Sequence, residues 1–422
     1  MTNAIALAAY LLLPLFGLVT WRVDVVRRMN LAGRIAIAAA GGALTIAVAM
    51  ALMSVAHVAW TRTSVTIVFA ILAIANIALA RRPLSTHHPA LSTLGSLLFI
   101  ALTFYGAMTA RETCGDLAYF WGPKAVQFHR AGGVSADFLR NPDFYSMHPD
   151  YPPLVPLVYA WSSVFAGKFS WWAAVLTAPL LLAATVALVG ATSGDAAGAL
   201  LVAATLAYAF PVAFAAGGAD PALVFFEALA ICALVFVRDP RAQTILAAIG
   251  TAGAVWTKIE GTTFAIALVV ALVLVRRQWK RAAAIAMPAI VLLAGWVVFI
   301  VAAGVVDMFA AAGRYPVHPS VLPTVLQLMG SAASYDLFWL PWIAPVVVIA
   351  FGDVRRALFP IAIAILTILA AIYFYVHVTD PAWWIAASAP RVLLTPLLAL
   401  DIAAIAASTP SGVSAGQRQA EG

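Results

Sequence analysis

Apolar residues run through this chain in long blocks. About thirteen of them have roughly 15 to 22 residues, the length that a ~30 Å hydrocarbon layer asks of a helix rising 1.5 Å per residue. They lie near 2–20, 35–55, 64–80, 91–110, 171–190, 199–216, 222–237, 243–257, 262–275, 282–302, 337–351, 357–376 and 392–407. The pattern predicts an all-α, polytopic integral membrane bundle, because a helix satisfies its own backbone in lipid. One apolar block differs: PPLVPLVYAWSSVFAG, 152–167, is short and carries three prolines near its start. If it crossed the bilayer, every later loop would change sides. It is therefore expected to lie as a helix along the outer interface, with Tyr151, Tyr159, Trp161, Trp171 and Trp172 in an aromatic belt. The expected organisation is a four-span region at 1–110, an outer loop with interfacial helices at 111–170, the remaining bundle at 171–407, and a disordered cytoplasmic tail at 408–422 rich in Ser, Gly, Ala and Gln.

Composition reinforces this pattern. Of 422 residues 64% are hydrophobic and 10% charged, with mean hydropathy +0.99, whereas soluble domains carry about 25% charged residues. The first apolar block has no basic residues before it and Arg22, Arg27 and Arg28 after it, which is the reverse of a cleavable signal and predicts a retained span. The two cysteines, Cys114 and Cys232, build neither a disulfide framework nor a zinc motif.

The net charge of +7 is read by position rather than as a nucleic-acid signal. With the N-terminus outside, fifteen of the twenty-four Lys and Arg fall on the cytoplasmic face in tight clusters, such as Arg27/Arg28, Arg238/Arg241, Arg276–Arg281 and Arg355/Arg356. The acids then segregate. Ten of seventeen lie in outer loops, while Glu227 and Asp401 fall within spans. Short cytoplasmic loops explain part of this bias, and a functional outer face would explain the rest.

The longest outer loop holds RETCGDLAYFWGPKAVQFHRAGG and NPDFYSMHPDYPPL. Asp116 follows the expected fourth span closely. It is either the N-cap of an interfacial helix or a general base at the membrane surface, with Lys124 and Gln127 on the same helical face. In HPDYPPL, His148 and Asp150 flank one residue of a proline-stiffened turn, and a divalent metal ion is one possible ligand for them. Asp220 in GGADPALVFF suits an N-cap ahead of Pro221. Glu227, seven residues deeper on that helix, calls for a polar cavity or partner below Asp220. WTKIEG sets Lys258 and Glu260 in a short turn, as a phosphate site or a solvated local ion pair. DPAWWIAASAPRVLLTPLL places Asp380, Trp383 and Trp384 at the interface, with Arg391 at the mouth of the last span, either snorkelling or binding phosphate.

This ordered set, an acid after a span, then HPDYPPL, then GGADP two spans later and WTKIEG two spans after that, resembles the GT-C superfamily. These are membrane glycosyltransferases that use polyprenyl-phosphate sugars, and they include protein O-mannosyltransferases and the lipid A aminoarabinose transferase. The likeness covers roughly 111–281 and, more faintly, 388–398. It implies an inverting hexosyl- or pentosyltransferase with Asp116 and Asp220 as catalytic acids. Lys258 and its neighbours would lie near the carrier phosphate, helped by Arg391 or Arg314, and Lys124, His148, Asp150, Tyr151 and Glu260 would complete the substrate site. His148, Asp150 and Asp220 are then the candidate ligands of any divalent metal ion. The implied partners are a polyprenyl-phosphate sugar, a glycan, lipid or protein acceptor, and membrane lipid, at the outer face of a plasma (inner) membrane. Two features depart from many members: extra spans ahead of the acidic loop, and no sizeable C-terminal outer domain. A secondary transporter or lipid flippase working through Glu227 and Asp401 is the alternative.

Overall fold

The computed structural model describes residues 2–80, 115–209, 217–305, 319–334, 339–378 and 380–409. The expected span at 91–110, Glu112, Cys114, Arg314 and the tail beyond 409 lie outside them. Every regular element among the described residues is helical. α1 (Thr2–Leu11) continues into a 3₁₀ segment (Leu13–Arg22), and α2 (Asp24–Arg28) turns the chain into α3 (Leu31–Val55). The Asn30 side chain starts α3 by accepting from the Gly33 N–H at 2.8 Å, and a Thr61/Ser64 capping box starts α4 (Arg62–Leu79).

A π-helical turn (Leu117–Trp121), α5 (Gly122–Ala131), α6 (Ala136–Leu139) and a 3₁₀ turn (Pro142–Met147) then lead to α7 (Leu154–Ala166) and α8 (Trp171–Ser193). The bundle continues through α9 (Ala196–Ala209), α10 (Asp220–Phe236), α11 (Pro240–Thr257), α12 (Ile259–Leu274) and α13 (Trp279–Ala302). It closes with α14 (Leu322–Ser334), α15 (Leu340–Phe351), α16 (Val354–Tyr375), α17 (Pro381–Val392) and α18 (Leu394–Ser408).

Seven helical segments among the described residues are long and apolar enough to cross a membrane: Thr2–Arg22, Leu31–Val55, Arg62–Leu79, Trp171–Ser193, Trp279–Ala302, Val354–Tyr375 and Pro381–Ser408. Large aliphatic side chains on α4 and α13, such as Ile71, Ile74, Val298 and Val301, stay exposed. On an all-helical chain of this hydropathy they form a lipid-facing shell. The protein is a membrane-embedded helical bundle.

α10 is its axis. It is buried along nearly its whole length and packs on α8, α11 and α18. Acids and arginines occupy its opposite ends. Asp220 opens the helix, while near the other end the Leu234 carbonyl accepts from Arg276 at 2.6 Å.

Two expectations change. α7 is a short helix, but almost every residue of it is buried against α1, α3 and α5, so Tyr151, Tyr159 and Trp161 are core residues, not belt residues. Trp171 and Trp172 do stay exposed. The last membrane-crossing segment includes α17 ahead of α18 and so opens at Pro381 rather than near 392, because Asp380 accepts from the Trp383 N–H at 3.1 Å and Pro381 is preorganised for a first turn. Arg391 therefore lies within a helix rather than at its mouth.

Candidate active site

Four segments distant in sequence meet at the Asp220 end of α10. Asp220 does not cap its helix. Ala219 holds the cap position without a side-chain bond, and Asp220 is the first helical residue. Its carboxylate turns sideways to Lys258, with Nζ 2.9 Å from Oδ1, and to Arg391, with Nη1 3.5 Å from Oδ2.

Lys258 is the single extended residue between α11 and α12, with φ −158° and ψ 160°. The helices on either side approach so closely that a Cβ on Gly261 would run into the Ala254 carbonyl. This tight hairpin holds the ammonium inside the protein, 4% exposed, rather than in a solvated turn. Nζ also lies 3.0 Å from Glu260 Oε1. Burial alone would lower the Lys258 pKa, but the carboxylates of Asp220 and Glu260 outweigh it and hold the group above its ordinary value.

Arg391, on α17, completes the cluster by pairing with Asp116. Asp116 makes no side-chain cap bond. It precedes the π-turn that accommodates Pro123, where the Gly122 N–H reaches back to the Leu117 carbonyl. Burial raises the Asp116 pKa above the ordinary carboxylate range, against the pull of Arg391. Two carboxylates, Asp116 and Glu260, and two cations, Lys258 and Arg391, thus line one end of a cavity of about 430 Å³, with Asp220 behind the cations. Its other walls are largely apolar, from Ala370, Ala371, Phe374 and Val392, with Trp384 and His377 at the side. Glu260 Oε2 is buried there with no hydrogen-bond partner among the described residues.

HPDY forms the back wall. His148 adopts a left-handed φ of 49°, and its ring stacks on Tyr151 at 4.6 Å and meets the edge of Phe120. The turn is tied on both sides: Lys124 Nζ donates to the His148 carbonyl, and Trp296 Nε1 donates to the Asp150 carbonyl at 2.7 Å. Lys124 is enclosed by the rings of Trp121 and Tyr151, 5.2 and 5.7 Å from Nζ. Burial pushes its pKa down to about 7 against the attraction of Asp150. Burial, then the nearby cations, push His148 down to about 4. The Tyr151 hydroxyl is raised by burial and by Glu260 and Asp150.

Of the expected site residues, Asp116, Asp220, Lys258, Glu260 and Arg391 converge, and His148 and Tyr151 line the same cavity. Lys124 stands behind that wall and does not line the cavity. The metal expectation does not assemble. Among the described residues no group of three His, Cys, Asp or Glu side chains converges as a ligand set. Asp220 meets two cations, and the His148 ring is held between aromatic neighbours.

The expected polar surroundings of Glu227 are present in one form. Thr395, on the cavity wall, donates to both its oxygens at 3.0 and 2.9 Å. Asp401, its companion in the transport alternative, is buried further along α18, where that helix packs on α9 and Thr205. Thr395 and Trp296 are the contributors the sequence did not reveal. Trp296 carries no motif and Thr395 is one hydroxyl within the faint 388–398 likeness; the packing of α13 and α18 brings them in. No protein-family model matches the chain, and neither a curated protein nor a solved structure matches it.

Proposed function

We propose that the protein is a GT-C-type membrane glycosyltransferase, moving a sugar from a polyprenyl-phosphate carrier to an acceptor at the outer face of the membrane with inversion. The observation carrying this reading is the convergence of Asp116, Lys258 and Arg391, with Asp220 behind the two cations, at one end of a cavity whose other walls are largely apolar. A lipid-borne phosphate needs that combination: cations fixed at the membrane surface and a hydrocarbon-lined space beside them. The distribution of positive charge supports a cytoplasmic position for the arginine-rich end of the bundle, and with it an outer position for the cavity.

In the reaction, the Asp116 carboxylate takes the proton of an acceptor hydroxyl. The acceptor oxygen bonds to the anomeric carbon from the face opposite the phosphate, and the C–O bond to the carrier breaks with its electron pair passing to the phosphate. Lys258 and Arg391 stabilise that developing charge. Arg391 has two roles in turn: in the resting protein it pairs with Asp116, and an arriving phosphate competes for it and frees the base. Glu260 Oε2 is placed to accept from a sugar hydroxyl.

The test is Asp116→Asn in membranes supplied with a radiolabelled polyprenyl-phosphate hexose. Transfer should fall at least a thousandfold with unchanged protein abundance; an Asn variant with full activity would remove the assignment.

A further inference from the structure

A second cavity, of about 330 Å³, lies on the opposite face of α10. At about 100° per residue, Asp220 and Glu227 share one face of this helix, while Ala222, Phe225 and Phe226 point the other way; those three line the second cavity. α10 therefore stands between the second cavity and the Lys258, Arg391 and Thr395 side chains, held by Asp220 and Glu227, that line the first. No charged side chain lines the second one. Its hydroxyls are engaged elsewhere: Tyr159 Oη with Thr177 and the Gly217 carbonyl, both at 3.0 Å, and Tyr10 Oη with Ser162 at 2.8 Å. A polar head group would find nothing there, but a hydrocarbon chain would.

The shape fits a chain as well. Ala36, Ala39 and Ala43 on α3 face Leu181, Ala184 and Ala187 on α8 across the gap, each set spaced along one helical face. Both helices are long enough to cross a membrane, so the space between them lies at hydrocarbon depth. The upper end reaches Gly218, next to the turn where Gly217 (φ 86°) lies so close beneath Leu117 that a Cβ there would be only 2.5 Å from its side chain. Gly218 is two residues from Asp220, and Leu117 directly follows Asp116. The chamber therefore ends beside both acids, across a saddle of two glycines.

We infer that the acceptor is itself a lipid: its hydrocarbon chain occupies this second chamber and its hydroxyl-bearing head crosses the Gly217–Gly218 saddle to Asp116, while the donor's chain lies on the other side of α10. This rests on the transferase reading and names the class of acceptor.

The experiment uses the full-length protein in nanodiscs with a C16 alcohol carrying a chain-terminal diazirine as probe. Photolabelling should map to α3, α8 and α10 and fall at least tenfold in Ala184→Trp. Ala39→Phe, which fills the chamber from the other helix, should do the same if the tryptophan variant does not fold. Binding of undecaprenyl phosphate, read by intrinsic tryptophan fluorescence, should be unchanged in both variants and weakened at least tenfold in Lys258→Ala. With radiolabelled polyprenyl-phosphate hexose, label should pass into a lipid that, unlike the donor's glycosyl phosphate, survives mild acid, in the wild type and not in the filled variants. If the filled variants keep full labelling, or still transfer sugar at the wild-type rate, the lipid acceptor is wrong and the transferase reading stands. If Asp116→Asn transfers normally, the transferase reading itself fails.

Discussion

Lys124 and Lys258 are both almost fully buried at the same end of the protein, yet their ammonium groups behave oppositely. Lys258 has two carboxylate oxygens within 3.0 Å and is held charged. Lys124 donates to a backbone carbonyl and faces two aromatic rings. Among the described residues, no ion pair to a carboxylate joins Lys124, and its pKa falls to about 7. Burial disfavours the charged form in both; a carboxylate in contact decides which keeps its proton. One lysine is a fixed positive charge suited to an anion, and the other is a tie that holds the HPDY wall and is nearly indifferent to its own charge.

Removing Lys258 should break this contrast most severely. Lys258→Met leaves the buried Asp220 carboxylate with Arg391, at 3.5 Å, as its remaining cation, which costs on the order of 3–5 kcal/mol. Transfer should be abolished and the melting temperature in detergent should drop by several degrees; a stable, active variant would contradict the account. Arg391→Ala should come next, with transfer reduced on the order of a hundredfold, as for loss of one charge-stabilising donor. It also carries a pH signature. On the transferase reading Asp116 must be deprotonated to act as base, so activity should fall as pH drops through its raised pKa. Arg391 lowers that pKa, so its loss should move the acid limb of the rate profile to higher pH, whereas a purely structural arginine would leave the limb in place.

Lys124→Met should be milder, with stability changed by about 1 kcal/mol and activity by several-fold at most. The more telling measurement is the pH dependence of stability. The folded pKa of Lys124 lies near 7, below the ordinary lysine value, so between them the unfolded chain holds a proton that the folded chain lacks. Stability therefore rises with pH across that window. Thermal melts from pH 7 to 9 should lose part of this slope in Lys124→Met. The smallest effect belongs to His148→Gln. His148, at about 4 in the fold, makes stability fall as pH drops from its ordinary value toward 4, and the Gln variant should melt more evenly over that range.

Much of the architecture was legible because a membrane span declares itself by length. The apolar blocks near 35–55, 171–190, 282–302 and 357–376 correspond to α3, α8, α13 and α16. Side-chain direction was not legible. Apolar periodicity cannot tell a helix skimming lipid from one packed inside protein, so Trp161 was expected in a belt and lies in the core. The Asp220 cap failed for a different reason: the first-turn geometry leaves the carboxylate free to turn sideways, and two cations offered more than a backbone N–H. Motif order brought Asp116, Asp220 and Lys258 under suspicion. The ion pair between Asp116 and Arg391, 275 residues apart, could come only from the fold.

Lys258 ends one helix and begins the next, so its position along the chain has no slack. An added or deleted residue on either side would swing the ammonium by about 100° around a helix axis and also displace Gly261 from the carbonyl it must clear. Loops commonly tolerate changes of length more readily than changes of chemistry. Here the reverse ordering applies, and a one-residue insertion at 257 or 259 should be more damaging than any single replacement among the neighbours of this lysine.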